Sequence, residues 1–392
     1  MSARLTYLNM GVSSSKEDVE KAISDINPGL FKNSFCKIVP DIFIDDKKSC
    51  LIIHSDGAGT KSILAYLFFK QINDIKYFKG IAQDSIVMNL DDLLCIGAIN
   101  NFLLSNTIGR NRNYISGDII SEIIEGYEDF INLMNKYGIS IISGGGETAD
   151  IGDSVRNIVV DSTLVTRMKR NDVIDAKNIS PGNDIIGLAS YGKAVYETSF
   201  NSGIGSNGFT LARHALLSTK YKGYSETFDE ALNPKLVYQG PFDIEDKLPG
   251  LSMTVGEALL SPTRTYAPII KEILKYYGKE INAIVHCTGG GQTKCLKFGN
   301  NIKYIKNNMF PLQPIFRIIQ EMGKIEWQEM YRTFNMGHRM ELFINPDISN
   351  EIIKISNKFG VDAKIIGKCE KSISGNELEI ISDLGEFIYG AK

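Results

Sequence analysis

The chain is short of the features that mark several large classes of protein. Its 43 Lys+Arg against 46 Asp+Glu leave a formal net charge of −3, so it has no basic footprint for nucleic acid. No apolar run approaches the roughly 18 residues of a membrane helix. The opening stretch, MSARLTYLNM, has no apolar core of a secretory signal. Six cysteines (36, 50, 95, 287, 295 and 369) include no CxxC pair, which argues against a zinc or redox motif. They are expected to be reduced, mostly buried thiols, and the expected location is cytoplasmic. There is no internal repeat, no low-complexity tract and no GxxxxGK[ST] phosphate loop. What is present is ordinary for a globular protein: 43% hydrophobic and 23% charged residues over 392 positions, a length for two or three domains.

Apolar spacing reads as mixed α/β. Residues 49–55 (SCLIIHS) form an apolar run ending at Asp56-Gly57, a strand meeting a tight turn. Residues 84–96 place Ile86, Val87, Leu90, Leu93 and Leu94 on one helical arc, with Asp84, Asp91 and Asp92 opposite. An amphipathic helix over 119–134 stops near Gly138. A strand at 139–143 is expected to run into a turn at Gly144-Gly145-Gly146, followed by a strand within 157–168. Residues 169–183, polar and carrying Pro181-Gly182, make the best boundary, so domains are expected at 1–175 and 176–392. The second unit reads as strand 184–190, helices near 208–218 and 265–277, strand 282–286 and a closing strand–helix–strand. Residues 220–257 read as a surface excursion.

Three glycine clusters each follow an apolar run: 56–61 (DGAGTK), 143–148 (SGGGET) and 288–291 (TGGG). Glycine lets backbone N–H groups converge on an anion without Cβ obstruction. Lys61 and the nearby carboxylates would suit phosphate and Mg²⁺, which takes hard oxygen ligands. Asp84, Asp91 and Asp92, together with Asp56 and Glu147, are the candidate ligands, with Asn89 a further oxygen donor. Gly203, Gly205 and Gly208 fit GxGxxG, but the polar residues 197–202 before them do not read as the strand a dinucleotide fingerprint needs. His54 reads as structural, His214 as an ordinary helix side chain, and His286, opening the third cluster, as a site candidate.

Eight segments in order resemble aminoimidazole ribonucleotide synthetase, the phosphoribosylformylglycinamidine cyclo-ligase family: YLNMGV (7–12), DGAGTK (56–61), D-x7-D (84–92), GGGETAD (144–150), SNGFTLAR (206–213), LLSPTRTY (259–266), HCTGGG (286–291) and RTFNMG (332–337). The resemblance implies an N-terminal ATP-binding domain that forms a β-barrel shared across a homodimer, and a C-terminal α/β domain on the substrate side. It implies Mg²⁺–ATP held by Asp56, Asp92 and Glu147, with Asp84 also at a family position. Lys61 and the turns of Gly57, Gly59, Thr60, Gly144, Gly145, Gly146 and Thr148 would meet the phosphates. Ser206, Asn207, Gly208, Thr263, Arg264, Thr288, Gly289 and Gly290 would line the ribonucleotide side, and Lys61, Asp92 and His286 would carry catalysis.

The sequence departs from that family's pattern at three points. The Asn that usually precedes the helix aspartate is Asp91, a histidine that commonly precedes Ser-Asn-Gly is Gly205, and Gly337 is followed by His338-Arg339 where small or apolar residues are usual. Residues 191–204 and parts of 220–257 read as insertions. The reaction implied is ATP-dependent closure of formylglycinamidine ribonucleotide to aminoimidazole ribonucleotide. A thiamine-monophosphate-kinase-like phosphotransferase is the nearer alternative, an NAD(P)-dependent oxidoreductase the more distant one, and a catalytically idle nucleotide-binding homologue a third.

Overall fold

A computed structural model describes residues 5–13 and 17–390. Of the opening stretch read as lacking a signal, residues 1–4 lie outside the described residues. The strands are β1 (Ile38–Pro40), β2 (Ser49–Gly57), β3 (Phe102–Arg110), β4 (Ile141–Asp150), β5 (Ile158–Lys169), β6 (Asp184–Ala189), β7 (Ile281–His286), β8 (Ile302–Lys306), β9 (His338–Ile344), β10 (Ala363–Lys371), β11 (Glu377–Ser382) and β12 (Gly385–Gly390). The helices are α1 (Glu17–Ile23), α2 (Lys61–Ile72), α3 (Tyr77–Leu94), α4 (Gly117–Lys136), α5 (Phe209–Leu216), α6 (Val255–Leu259), α7 (Ala267–Tyr277), α8 (Pro314–Gly323), α9 (Trp327–Thr333) and α10 (Ser349–Lys358).

Two sheets result, a mixed α/β architecture. The first has the order β1-β2-β5-β3-β4 and the second β12-β11-β8-β10-β6-β9-β7. Neither is a closed barrel. In β5 (IVVDSTLVTRMK) burial alternates residue by residue from Ile158 to Arg167, as period-two patterning requires. Its inward residues meet α3, which α4 covers in turn through Tyr127, whose hydroxyl lies 2.9 Å from Ser162 Oγ. The outward face is bare and carries one apolar row among polar positions such as Ser105, Thr107 and Asp161. Ile53, Val165, Leu103 and Ile142 stand in one cross-strand row, with Ile53 65% and Ile142 63% exposed. β4 is an edge strand.

Three expectations change here. Gly144-Gly145-Gly146 does not end a strand; the backbone runs on through the glycines as part of β4, paired in parallel with β3 after a bulge at Leu104/Asn106. The aspartates of α3 do not form a solvated stripe, because the helix is enclosed and Asp84, Asp91 and Asp92 are all buried. Residues 220–257 are not a bare excursion, since Tyr221, Tyr238, Ile244 and Val255 are fully buried. All six cysteines are buried and free.

Candidate active site

The site is built where the end of β2 and the end of α3 meet the second sheet. At the end of β2, Gly57 is required by space: a Cβ there would stand 1.8 Å from Asp161 Oδ1. Gly59 takes a left-handed φ of 58°, which turns the chain into α2. Asp56 is exposed at this turn. On the facing side Gly208 has φ 76° and starts α5, and a Cβ on it would meet the Phe334 ring at 2.3 Å. Between these turns lies a 450 Å³ cleft lined by Asp56, Gly57, Gly59, Thr60, Asp92, Ser206, Asn207, Gly208, Thr288, Gly289 and their neighbours Tyr7, Lys294 and Lys297.

Asp92 is the pivot of this cleft. His286 Nδ1 donates to its Oδ1 at 2.6 Å, and His54 Nε2 lies 3.3 Å from its Oδ2. Burial alone would raise the Asp92 pKa, but the hydrogen bonds and charges of the two histidines together hold it well below the usual carboxylate range. His54 Nδ1 faces Asn89 Oδ1 at 2.9 Å. The Asn89 amide nitrogen donates to the carbonyls of Asp56, Ser85 and Ser162, which fixes the amide orientation. Both ring nitrogens of His54 therefore face acceptors, the arrangement of a cationic imidazolium. Burial lowers its pKa, yet Asp92, Asn89 and Asp56 carry it above the usual value. His286 is buried and its Nε2 has no partner.

Other expected site residues are placed elsewhere. Lys61 is fully buried, and its three donors are taken by Asp84 Oδ1 (2.8 Å), Gly205 O (3.2 Å) and Ser261 O (2.6 Å). The same Asp84 oxygen accepts from the Thr263 N–H at 2.7 Å and hydroxyl at 2.6 Å. Neither the expected phosphate-neutralising lysine nor the expected Asp84 metal ligand reaches the cleft, because each satisfies the other's charge. Arg264 is buried too, paired with Glu197 and donating to the carbonyls of Ala189 and Tyr191, so it braces the structure behind the cleft. Thr263 reaches forward, its Oγ1 2.7 Å from Ser206 Oγ. Asn207 donates to Thr288 Oγ1, joining the two second-half turns.

Gly144, Gly145, Gly146, Glu147 and Thr148 do not join this cleft. Glu147 pairs across to Thr107 of β3, which pairs with Asp161 of β5, which pairs with Gly57 of β2. Three strand spacings put Glu147 about 14 Å from the Asp56 turn. The expected convergence of Asp56, Asp92 and Glu147 thus holds within one chain for the first two only.

His54 was read as structural and is instead a direct partner of Asp92. Its position between Ile53 and Ser55 in an alternating strand gives no hint of that, since the partner is on α3. Asp161, beside Gly57 and with its pKa raised by burial and by Asp56, shows in the sequence only as an outward polar position of β5. The GxGxxG glycines follow a long loop, β6 having ended at Ala189, so the dinucleotide reading has no supporting strand.

Family models for the AIR synthase related protein match at residues 38–168 for the N-terminal domain and 180–376 for the C-terminal domain. The chain belongs to this family. A phosphoribosylformylglycinamidine cyclo-ligase of Methanocaldococcus jannaschii is 31% identical over 389 residues, covering 96% of this chain and 95% of its own length. Among solved structures, Thermotoga maritima PurL complexed with ATP aligns with a TM-score of 0.53 at 12% identity over 95% of this chain, which spans about half (47%) of that longer protein. Thiamine monophosphate kinase from Aquifex aeolicus aligns with a TM-score of 0.50 at 11% identity, covering 97% and 99% of the two chains. These two likenesses are of fold.

The AIR synthase family segments sort into three places in this chain. Those at 7–12, 56–61, 206–213 and 286–291, with Asp92, gather round the cleft. The segments at 259–266 and 332–337 lie behind it as supports: Asn335 donates to the carbonyls of Gly203 and Ile204 and accepts from Ser190, holding the loop that leads to Ser206. The 144–150 segment stands apart on the bare edge of the first sheet.

Proposed function

We propose that this protein closes formylglycinamidine ribonucleotide to aminoimidazole ribonucleotide, converting ATP to ADP and phosphate in purine synthesis. The observation that carries the reading is Asp92, held between His54 and His286 in a cleft that also contains Asp56 and two glycine turns, in a chain matched end to end by cyclo-ligases. An amide oxygen is a very poor leaving group. Transfer of the γ-phosphoryl to it makes a phosphate leaving group, and the amidine nitrogen then attacks the same carbon to close the five-membered ring. The protein contributes positioning and charge compensation.

The donor set fits Mg²⁺. Asp56 and Asp92 present hard carboxylate oxygens to one cleft, and each Asp92 oxygen keeps a lone pair beyond its histidine contact. Bound there, the ion would compensate phosphate charge. The turns at Gly57–Thr60 and Thr288–Gly290 supply N–H groups for phosphates, and Ser206, Asn207 and Gly208 contact the ribonucleotide. His286, beside the cleft with Asp92 orienting its ring through Nδ1, is the residue proposed to shuttle the amine proton.

The bare face of the first sheet is the proposed homodimer surface, with a division of the chain at 175/176 into dimerising and substrate-side domains. The apolar row Ile53, Val165, Leu103 and Ile142, together with the unpaired edge of β4, is a template for a second copy. Pairing there would bring the partner's equivalent of the 144–148 segment toward the nucleotide. A cytoplasmic location accords with this chemistry; no helix among the described residues is long and apolar enough to cross a membrane.

The deciding assay follows aminoimidazole ribonucleotide formation by purified enzyme with Mg²⁺–ATP, alongside ADP release with thiamine monophosphate as acceptor. Product from the first substrate alone is expected. ADP release only with the thiamine acceptor would instead place the protein with the kinases. Ile142→Lys is expected to convert a dimer to monomer in sedimentation and to lower activity with it, and an unchanged sedimentation coefficient would remove this face from the interface.

A further inference from the structure

Asp91, Gly205 and Arg339, distant in sequence, meet at one point. Arg339 on β9 places Nη2 3.1 Å from Asp91 Oδ2, and both side chains are buried. The guanidinium lies over the Tyr266 ring, 5.5 Å from its centroid, and donates to the Arg264 carbonyl. It occupies the space beside Gly205: a Cβ on that glycine would stand 3.5 Å from both Arg339 Cδ and Nη1. A larger side chain at 205 and an arginine at 339 would compete for one volume, and an arginine there without Asp91 would be a buried charge lacking a counter-ion.

The pair lies one residue from the pivot of the cleft. Asp91 and Asp92 both sit in the last turn of α3, where the helix dipole disfavours negative charge. Each is compensated from an adjacent strand of the second sheet. His286 of β7 takes Asp92, and Arg339 of β9 takes Asp91, with Thr265 Oγ1 donating to Asp91 Oδ1 at 2.6 Å. The two strands are paired at His286 and Met340, and the Arg339 carbonyl accepts from the Cys287 N–H at 2.7 Å. Arg339 thus grips both the end of α3 and the strand end that carries His286.

We infer that Asp91 and Arg339, with Gly205 giving them room, form a single coupled positioning device that sets Asp92 against His286 across the two halves of the cleft. The inference rests on the reading of Asp92 as a site residue, but its first test does not. In a double-mutant cycle, the melting temperature of the substrate-free protein is measured for Asp91→Asn, Arg339→Met and the double variant. Each single change strands a buried charge and should lower Tm by about 5–15 °C, while the double variant should recover more than about half of the loss. Additive losses would overturn the pair as a unit.

The second arm separates positioning from simple support. Among variants still folded at the assay temperature, Asp91→Asn should lower kcat by about tenfold or more with KM for ATP within about threefold, and the double variant should restore part of kcat. An unchanged kcat in the folded single variant would overturn the positioning role even if Tm is coupled. Should Arg339→Met fail to fold, Arg339→Lys keeps the charge on a shorter, single-point donor; it should fold and still show the kcat loss, and wild-type kcat there would count against the proposal. If no product forms even with wild-type enzyme, the activity reading fails while the Tm cycle still decides the coupling.

Discussion

The middle and the C-terminal end of α3 carry aspartates of the same kind in opposite circumstances. Asp84, two turns into the helix, is sealed against Lys61 and Thr263 with no route to solvent. Asp92, in the last turn, is flanked by two imidazoles and opens on a cleft. One carboxylate has its charge cancelled by an ammonium, the other is held between two imidazoles. A buried ammonium–carboxylate pair resists change, whereas a carboxylate between histidines can exchange partners. The difference shows that the spacing D-x7-D places two residues on one helix face without giving them one task.

The largest effect should come from breaking the sealed pair. Lys61→Met leaves Asp84 buried without its counter-ion, and a loss of about 3–5 kcal/mol in unfolding free energy is expected. Denaturant titration measures it. A loss below about 1 kcal/mol would mean that the pair is hydrated and the contrast between the two aspartates is false. At Asp92 the rate should be the larger loss. Asp92→Asn gives up the stability that a depressed carboxylate pKa implies, and turnover per folded molecule should fall by about 10²–10³, read from product formation at saturating Mg²⁺–ATP. A variant that lost stability but kept its rate per folded molecule would assign Asp92 to support as well.

Much of the fold was legible because it follows from periodicity. The alternation in 157–168 and the amphipathic helix near 119–134 are each local patterns that burial enforces. The strands β8, β11 and β12 went unread, although β8 alternates in burial and β6 and β7, no longer than β11 and β12, were read. The site was legible in its glycines, since Gly57 and Gly208 are demanded by close approach of other groups. It was misread in its charges. Whether Lys61 faces a phosphate or Asp84, and whether His54 is inert or touches Asp92, depends on contacts between segments dozens to hundreds of residues apart, which no local spacing encodes. The glycines at 144–146 misled for a related reason: Gly145 does take a left-handed φ of 85°, but the irregularity is a bulge, and pairing with β3 resumes at Gly146.

A third carboxylate gives the comparison its finest test, through acid. Glu341 on β9 is as deeply buried as Asp84 and is likewise matched to an ammonium, Lys306, at 2.5 Å, with His338 Nε2 at 2.9 Å from the same oxygen. Burial would raise its pKa, but the Lys306 charge and the His338 hydrogen bond outweigh that and lower it from 4.5 to about 2. A carboxylate with a depressed folded pKa stabilises above its unfolded value and loses that contribution as pH falls towards the folded value. The stability gap between wild type and Glu341→Gln should therefore be constant above pH 5 and narrow between pH 4.5 and about 2. Guanidinium titrations at half-unit pH steps would show it, provided wild type remains folded in acid at zero denaturant. A gap that does not change with pH would mean that the Glu341 carboxyl titrates alike in the folded and unfolded chain, so that Lys306 does not hold it as an ion, and a gap that shrinks as pH rises above 5 would mean that it keeps its proton in the native protein.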